Sequence, residues 1–271
     1  LVHRLMTIVL LRAVRRVWVA IPAWERRWQP YTLGRAVEFR WLPVGSSIPV
    51  AEAPNESLRI RARFVNDDGL LIGHFGSYDA NTTDLLLKSV PELMKQEGTK
   101  LLLLGHGSSS MRSVLTEQYS VLADRVHATG SLSAAELSHH ISACDLMLQP
   151  YIDGVSSRRT STMTALAHGV PVVTTNGKFT ESIWAASGAV VMVDVENCRD
   201  FAKVATRLLQ DVEVRMQMSA AARRLYTAYF DRTRTIASLR AEPVAMPSAL
   251  GKGQHLTGEI SILDQVVEVI R

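Results

Sequence analysis

Cysteine is nearly absent: Cys144 and Cys198 are the only two in 271 residues, with no CxxC spacing. That excludes a disulfide framework and a cysteine zinc site, and it favours a reducing cytoplasm. No Lys/Arg run is long enough to argue for nucleic acid, and the formal net charge is only +4, with a pI near 9.2. A surplus this mild fits a protein that handles phosphorylated anions, or one that sits peripherally on the inner face of a membrane. No apolar run reaches bilayer length: Leu5–Leu11 is too short and lacks a small-residue cleavage site. The chain opens on Leu1 rather than Met, so the expectation is a fragment whose N-terminus is missing. The eight histidines show no metal-ligand spacing. His139 and His140 are adjacent and point to different sides, and His168 precedes a helix-stopping glycine and reads as a cap or packing residue. No metal is expected. There is no Walker or GxGxxG pattern, and spacing alone assembles no Ser/His/Asp arrangement.

What is present is a core and a repeat. Hydrophobic residues make up 47% of the chain, enough for one large domain or two smaller ones. The first 58 residues read as the end of one domain plus a linker. Leu5–Val14 suits a helix, Arg16–Ile21 a strand, Phe39–Val50 an extended segment, and Ala51–Leu58 has linker composition. From Leu70 apolar runs recur at Leu70–Phe75, Lys100–Leu104, Arg125–His127, Leu146–Gln149, Val170–Thr174 and Val190–Val193. Helical patterns separate them: Asp84–Lys95, a helix opened by a Ser133/Glu136 capping box, Thr160–His168 stopped by Gly169, Thr180–Ala186, Arg199–Leu209 and Val214–Phe230. Continuous apolar strands alternating with helices predict a parallel sheet covered on both faces. Residues 59–240 form this unit, and residues 241–271 a tail in which Ile260–Ile270 suits either a helix or a strand.

In such sheets ligands sit beyond the carboxyl ends of the strands. The first strand is followed by Gly76, Ser77 and Tyr78, a turn that offers close backbone approach and a hydroxyl, or an ordinary connection. Gly105–Ser110 reads more readily as a flexible turn than as a phosphate cradle. Gly130 and Leu132 follow the third strand and suit a flat base. After the fourth comes the loop Asp153–Thr160. Its Ser156, Ser157 and Thr160 supply hydroxyls, and Arg158 and Arg159 supply guanidinium groups just ahead of a helix N-terminus. A helix start favours an anion, and guanidinium matches phosphate bidentately, so a diphosphate suits this loop. A surface loop with two solvated arginines is the other reading. After the fifth strand, Glu181 opens a helix, either as a cap or as an acceptor for two sugar hydroxyls.

Several segments also resemble a known family. Ala165–Val173 (ALAHGVPVV) resembles the signature of group 1 glycosyltransferases, the retaining enzymes with two facing Rossmann-like domains. Arg125–Leu132, Ala143–Leu146 and Leu103–Gly107 resemble their neighbouring segments, and the match covers roughly residues 36–240. The resemblance implies the α/β fold class: a Rossmann-like doubly wound parallel sheet, the C-terminal half of a GT-B enzyme, with the N-terminal domain largely missing. It implies that this half binds a nucleotide-diphosphate sugar as donor, without a metal or other cofactor. The acceptor, a glycan, lipid or small molecule, is held by the other half, and transfer retains configuration. The family's Glu-x7-Glu falls here on Ser156 and Thr164, so both carboxylates are absent. Its Arg and Lys after the first strand fall near Ser77 and Thr82, so those charges are absent too. Arg158 and Arg159 are then the candidates to stabilise the departing diphosphate. The alternatives are a non-catalytic sugar-nucleotide binder of the same fold, and an epimerase or phosphorylase. A phosphorylase needs a cofactor lysine or phosphate site that does not stand out, and an epimerase needs carboxylates and histidines that this chain lacks near the donor loop.

Overall fold

The computed structural model describes residues 2–241, leaving aside the side chains of residues 198 and 199. The tail segment Ile260–Ile270 lies outside the described residues. A small unit comes first: α1 (Val2–Ala13), β1 (Arg16–Val19), α2 (Pro22–Trp28) and β2 (Glu38–Trp41). β1 and β2 pair in parallel, Arg16 opposite Glu38, around a cluster of Leu11, Val19, Val37 and Phe39. Residues 51–58, expected as a linker, are partly helical. Pro54 occupies the first turn of α3 (Pro54–Ala62), where its missing N–H costs nothing, and Ile60 joins the main core.

The main unit alternates β3 (Leu70–Phe75), α4 (Ala80–Leu93), β4 (Thr99–Leu104), α5 (Ser108–Gln118), β5 (Val126–Ala128), α6 (Ala134–Ser142), β6 (Leu146–Gln149), α7 (Thr160–His168), β7 (Val172–Asn176), α8 (Ser182–Ala186), β8 (Val190–Asp194), α9 (Cys198–Gln210), α10 (Val212–Leu225) and α11 (Arg232–Arg240). A π-turn, Tyr226–Phe230, follows α10. The six strands of this sheet are all parallel, in the order β5-β4-β3-β6-β7-β8. Two buried clusters cover it. One joins Leu86 and Val90 of α4, Leu115 of α5 and Phe201 of α9 to Ile72 and Leu101. The other joins Ile60, Ile141 of α6, Met163 of α7 and Ala222 of α10 to Leu71 and Leu102. Alternate residues of each strand thus face opposite clusters, as a doubly wound sheet requires.

The boundaries have local causes. Asp79 accepts a 2.9 Å bond from the Thr82 amide and starts α4 earlier than its apolar pattern does. Ser133 and Glu136 make both bonds of the capping box, and Gly169 ends α7 at φ +66°. β7 begins at Val172, two residues later than expected. Val170 still bonds back to Ala165 of α7 at 2.9 Å, and Pro171 has no N–H for a ladder.

Candidate functional site

The strand order reverses between β3 and β6, so the crevice beyond their carboxyl ends is the place a ligand enters. Two elements meet there. A Cβ built on Gly76, just after β3, lies 3.7 Å from Ser161 Oγ in the first turn of α7 and 3.7 Å from His74 Nε2. No side chain caps α7, and the Thr160 and Ser161 amides have no acceptor among the described residues. Two orphan donors and the positive end of the helix dipole therefore open on this crevice. One neutral group already stands at this end: the Tyr151 phenol, whose oxygen is 2.8 Å from the Ser161 and Thr162 hydroxyls and 3.1 Å from Gln149 Oε1. Burial raises the Tyr151 pKa.

The loop between β6 and α7 is rigidly seated. Val155 N donates to Thr175 O at 2.8 Å, and Phe179 N donates to Asp153 O at 3.0 Å. Gly154 has φ +83°, and a Cβ there would stand 2.4 Å from the Gly177 amide nitrogen, so only glycine fits. Arg158 and Arg159 do converge, but on a carboxylate of their own loop. Both guanidinium groups pair with Asp153, and Arg159 lies 4.3 Å over the Tyr151 ring. Arg158 sits over Trp24 and Phe179, at 5.9 Å and 5.6 Å. The reading of two solvated arginines is corrected by these contacts.

The remaining candidates divide. Ser156 is buried with its Oγ unpartnered. Ser157 is buried in a network that ties the loop to the small unit: its Oγ lies 2.6 Å from Ala20 O and accepts from Trp41 Nε1 at 3.1 Å, while its carbonyl accepts from Val44 N at 2.9 Å. Glu181 is the other side of that network. Its carboxylate accepts from Ser157 N at 3.1 Å and Trp184 Nε1 at 2.7 Å and contacts the Ser157 hydroxyl, and it does not cap α8. Burial raises its pKa against those hydrogen bonds. It borders a cavity of about 440 Å³ with Asn176, Thr180 and Asp194, but its acceptor capacity is spent internally. Ser77 is exposed and bonds Asp79 at 3.2 Å. The Tyr78 hydroxyl donates to Leu104 O, and burial raises its pKa. Gly130 (φ +66°) follows β5, two strands from the switch point, and Leu132 packs on the core beside it. Thr164, where the resemblance puts the second carboxylate, bonds Thr160 O at 2.8 Å and Ser46 Oγ at 3.1 Å.

Three residues at this edge escape sequence reasoning: Tyr151, Asp153 and His74. Asp153 carried a usable signal, a carboxylate five and six residues ahead of two arginines. His74 is the only titratable side chain in the apolar strand LLIGHF. Among the described residues no group of three or more His, Cys, Asp and Glu could hold a metal, and no helix is long and apolar enough to cross a membrane.

Solved structures share this fold. HepE from Anabaena, in complex with UDP and glucose, matches with a TM-score of 0.70 at 16% identity, over 87% of this chain and 65% of that one. Sucrose-phosphate synthase from Thermosynechococcus elongatus gives 0.68 at 18%, over 88% and 60%. WaaG, a glycosyltransferase involved in lipopolysaccharide biosynthesis, gives 0.63 at 18%, over 82% and 61%. The chain thus spans about three fifths of the length of these relatives. No curated protein sequence matches it. The model of the glycosyl transferases group 1 matches residues 69–211, more than half of the chain, and the chain belongs to that family.

Proposed function

We propose that this chain binds a nucleotide-diphosphate sugar at the β3/β6 switch point and serves as the donor half of a retaining hexosyl transfer. The observation that carries the reading is the uncapped first turn of α7, with the Thr160 and Ser161 amides open beside Gly76. The donor diphosphate lies on that turn, and Arg158 and Arg159 take up its charge as the sugar leaves. Gly76 and Ser77 border it, Ser156 faces it, and Gly130 and Leu132 hold the base. The reaction uses no metal or other cofactor. HepE has been seen with UDP-glucose, which supports a UDP-type donor. The acceptor is a glycan, lipid or small molecule brought by the facing half.

The protein works at the inner face of a membrane. The support is the outward stripe of α1, where Val2, Leu5, Met6, Val9 and Leu10 are exposed. Residues 1–41 carry eight arginines against two glutamates, a charge suited to anionic lipid. Sedimentation with anionic vesicles that is unaffected by Leu5→Glu and Leu10→Glu argues against this surface.

A thermal-shift screen across UDP-, GDP-, TDP- and ADP-sugars tests the donor site. Ligand at 100 times its Kd stabilises the fold by about 2.7 kcal/mol, and no shift with any of them rejects the proposal. A second reading, a binder without turnover, is favoured by Ser156 and Thr164 standing in place of the family carboxylates. Slow donor hydrolysis with no transfer to any acceptor selects it.

A further inference from the structure

His74 is buried at the end of β3, 1% exposed, directly beside the switch point. Its Nδ1 lies 2.7 Å from Leu148 O on β6. A carbonyl only accepts, so Nδ1 carries the proton and Nε2 presents a bare lone pair. Nε2 has no hydrogen-bond partner among the described residues. The ring is held in place: Tyr78 packs against it edge-on at 5.2 Å, and the Tyr78 hydroxyl lies 3.3 Å from His74 O. Burial holds the imidazole pKa down to about 4, so the ring is neutral at pH 7.

The unsatisfied Nε2 lies next to the space beside Gly76 and is closed to solvent in the free protein. A Cβ on Gly76 would sit 3.7 Å from Nε2 and 3.7 Å from Ser161 Oγ, so the two polar atoms flank one small opening at the start of α7. Buried acceptors are rarely left bare, and here the missing partner is a donor that reaches in from the crevice. A fully ionised phosphate oxygen cannot fill the role, because it too only accepts. A hydroxyl can.

We propose that His74 is a specificity-determining residue whose Nε2 accepts a hydrogen bond from a hydroxyl of the transferred sugar in the opening beside Gly76. This rests on the donor-site reading above and assigns one contact within it. The diphosphate lies on the α7 amides, and the sugar turns toward β3. The lone pair then separates sugar nucleotide from free nucleoside diphosphate, and keeps phosphate oxygens away from that point.

The test uses the full chain and titration calorimetry with UDP and UDP-glucose, or with whichever GDP, TDP or ADP pair stabilises the protein most. His74→Asn keeps an N–H for Leu148 O but removes Nε2. Gly76→Ala fills the opening at ordinary contact distance without a strained φ. His74→Asn is expected to weaken the sugar conjugate about tenfold and to leave the free diphosphate within about twofold, and Gly76→Ala, beside both ends of the donor, to weaken the conjugate more than the free diphosphate. Equal weakening of both ligands overturns the assignment, and so does no change in either. Wild-type protein that binds no ligand of the series instead rejects the donor-site reading itself, and the two failures are separate results.

Discussion

Asp153→Asn should tighten diphosphate binding rather than weaken it. The Asp153 carboxylate holds both guanidinium groups, and on the proposed reading a donor diphosphate has to compete for them. The side chains are 29%, 25% and 14% exposed for Arg158, Arg159 and Asp153, so solvent screens the pairs only in part. A charge-assisted hydrogen bond contributes about 1.5–3 kcal/mol, and partial screening argues for the lower end. Asparagine keeps the shape and one acceptor while removing the competing charge. The expected gain is about 1.5 kcal/mol, roughly tenfold in Kd for UDP at low salt, shrinking as ionic strength rises. The same change should cost the free fold about 1–2 kcal/mol, a fall in Tm of several degrees for a chain of this size. Calorimetric titration of UDP at two salt concentrations, with melting curves of the ligand-free proteins, measures both. Removing Arg158 or Arg159 on top of Asp153→Asn should then reverse the gain. Unchanged or weaker UDP binding in Asp153→Asn refutes the competition, and leaves the arginines as braces of the loop.

Glu181→Ala strips the acceptor from Ser157 N and Trp184 Nε1, and the loss of these part-buried bonds is expected to cost about 2–3 kcal/mol. An unchanged urea midpoint counts against the network. Gly154→Ala drives a Cβ to 2.4 Å from the Gly177 amide nitrogen at φ +83°, and should destabilise by at least about 2 kcal/mol. A wild-type melting curve for this variant would show that the loop yields freely. The His74 pKa falls from 6.5 unfolded to about 4 folded, so the unfolded chain takes up the proton first as pH drops. This contribution to stability is whole above pH 6.5 and is lost on the way down to pH 4, by roughly 3 kcal/mol at 1.36 kcal/mol per unit. His74→Phe should flatten the stability curve over that window, and parallel curves for the two proteins would contradict it.

The sheet was legible because its information is local. The strands are runs of three to six residues, mostly buried on both faces, and the helices between them announce their caps: Ser133 with Glu136, and Gly169. Errors arose where one residue overrides a pattern, as at Pro171, which delays β7, and at Pro54, which starts a helix inside linker-like composition. The crevice followed from topology, and Gly76 and Ser161 do meet there, 85 residues apart in the chain. The partners within it were less readable. Asp153 captures both arginines in a loop where Gly154 takes φ +83°. Glu181 finds Ser157 across 24 residues, and Trp41 reaches Ser157 across 116, pairings that no spacing rule reveals. Tyr78 looks like a ligand contact in sequence, yet its hydroxyl serves a backbone carbonyl of β4.

If the family's two carboxylates align with Ser156 and Thr164, as the resemblance implies, the substitution has a consequence in charge. Glutamates at positions 156 and 164 would add two negative charges beside Arg158 and Arg159, and with Asp153 the loop would carry a net negative charge. With Ser156 and Thr164 the same loop keeps a net charge of +1 from Asp153, Arg158 and Arg159, in front of a helix start that adds roughly half a charge more. On the proposed reading, that balance would favour the diphosphate end of a donor and give its departure a cation to move toward. It leaves the sugar end to neutral acceptors, which hold hydroxyls less tightly than carboxylates do. His74 Nε2 is one such atom, buried and without a hydrogen-bond partner among the described residues. On the proposed reading, such a site is expected to hold the diphosphate mainly by charge and the sugar mainly by neutral hydrogen bonds. The ratio of those two affinities therefore distinguishes an active donor site that has traded sugar selectivity for leaving-group charge from a binding module that retains only the nucleotide.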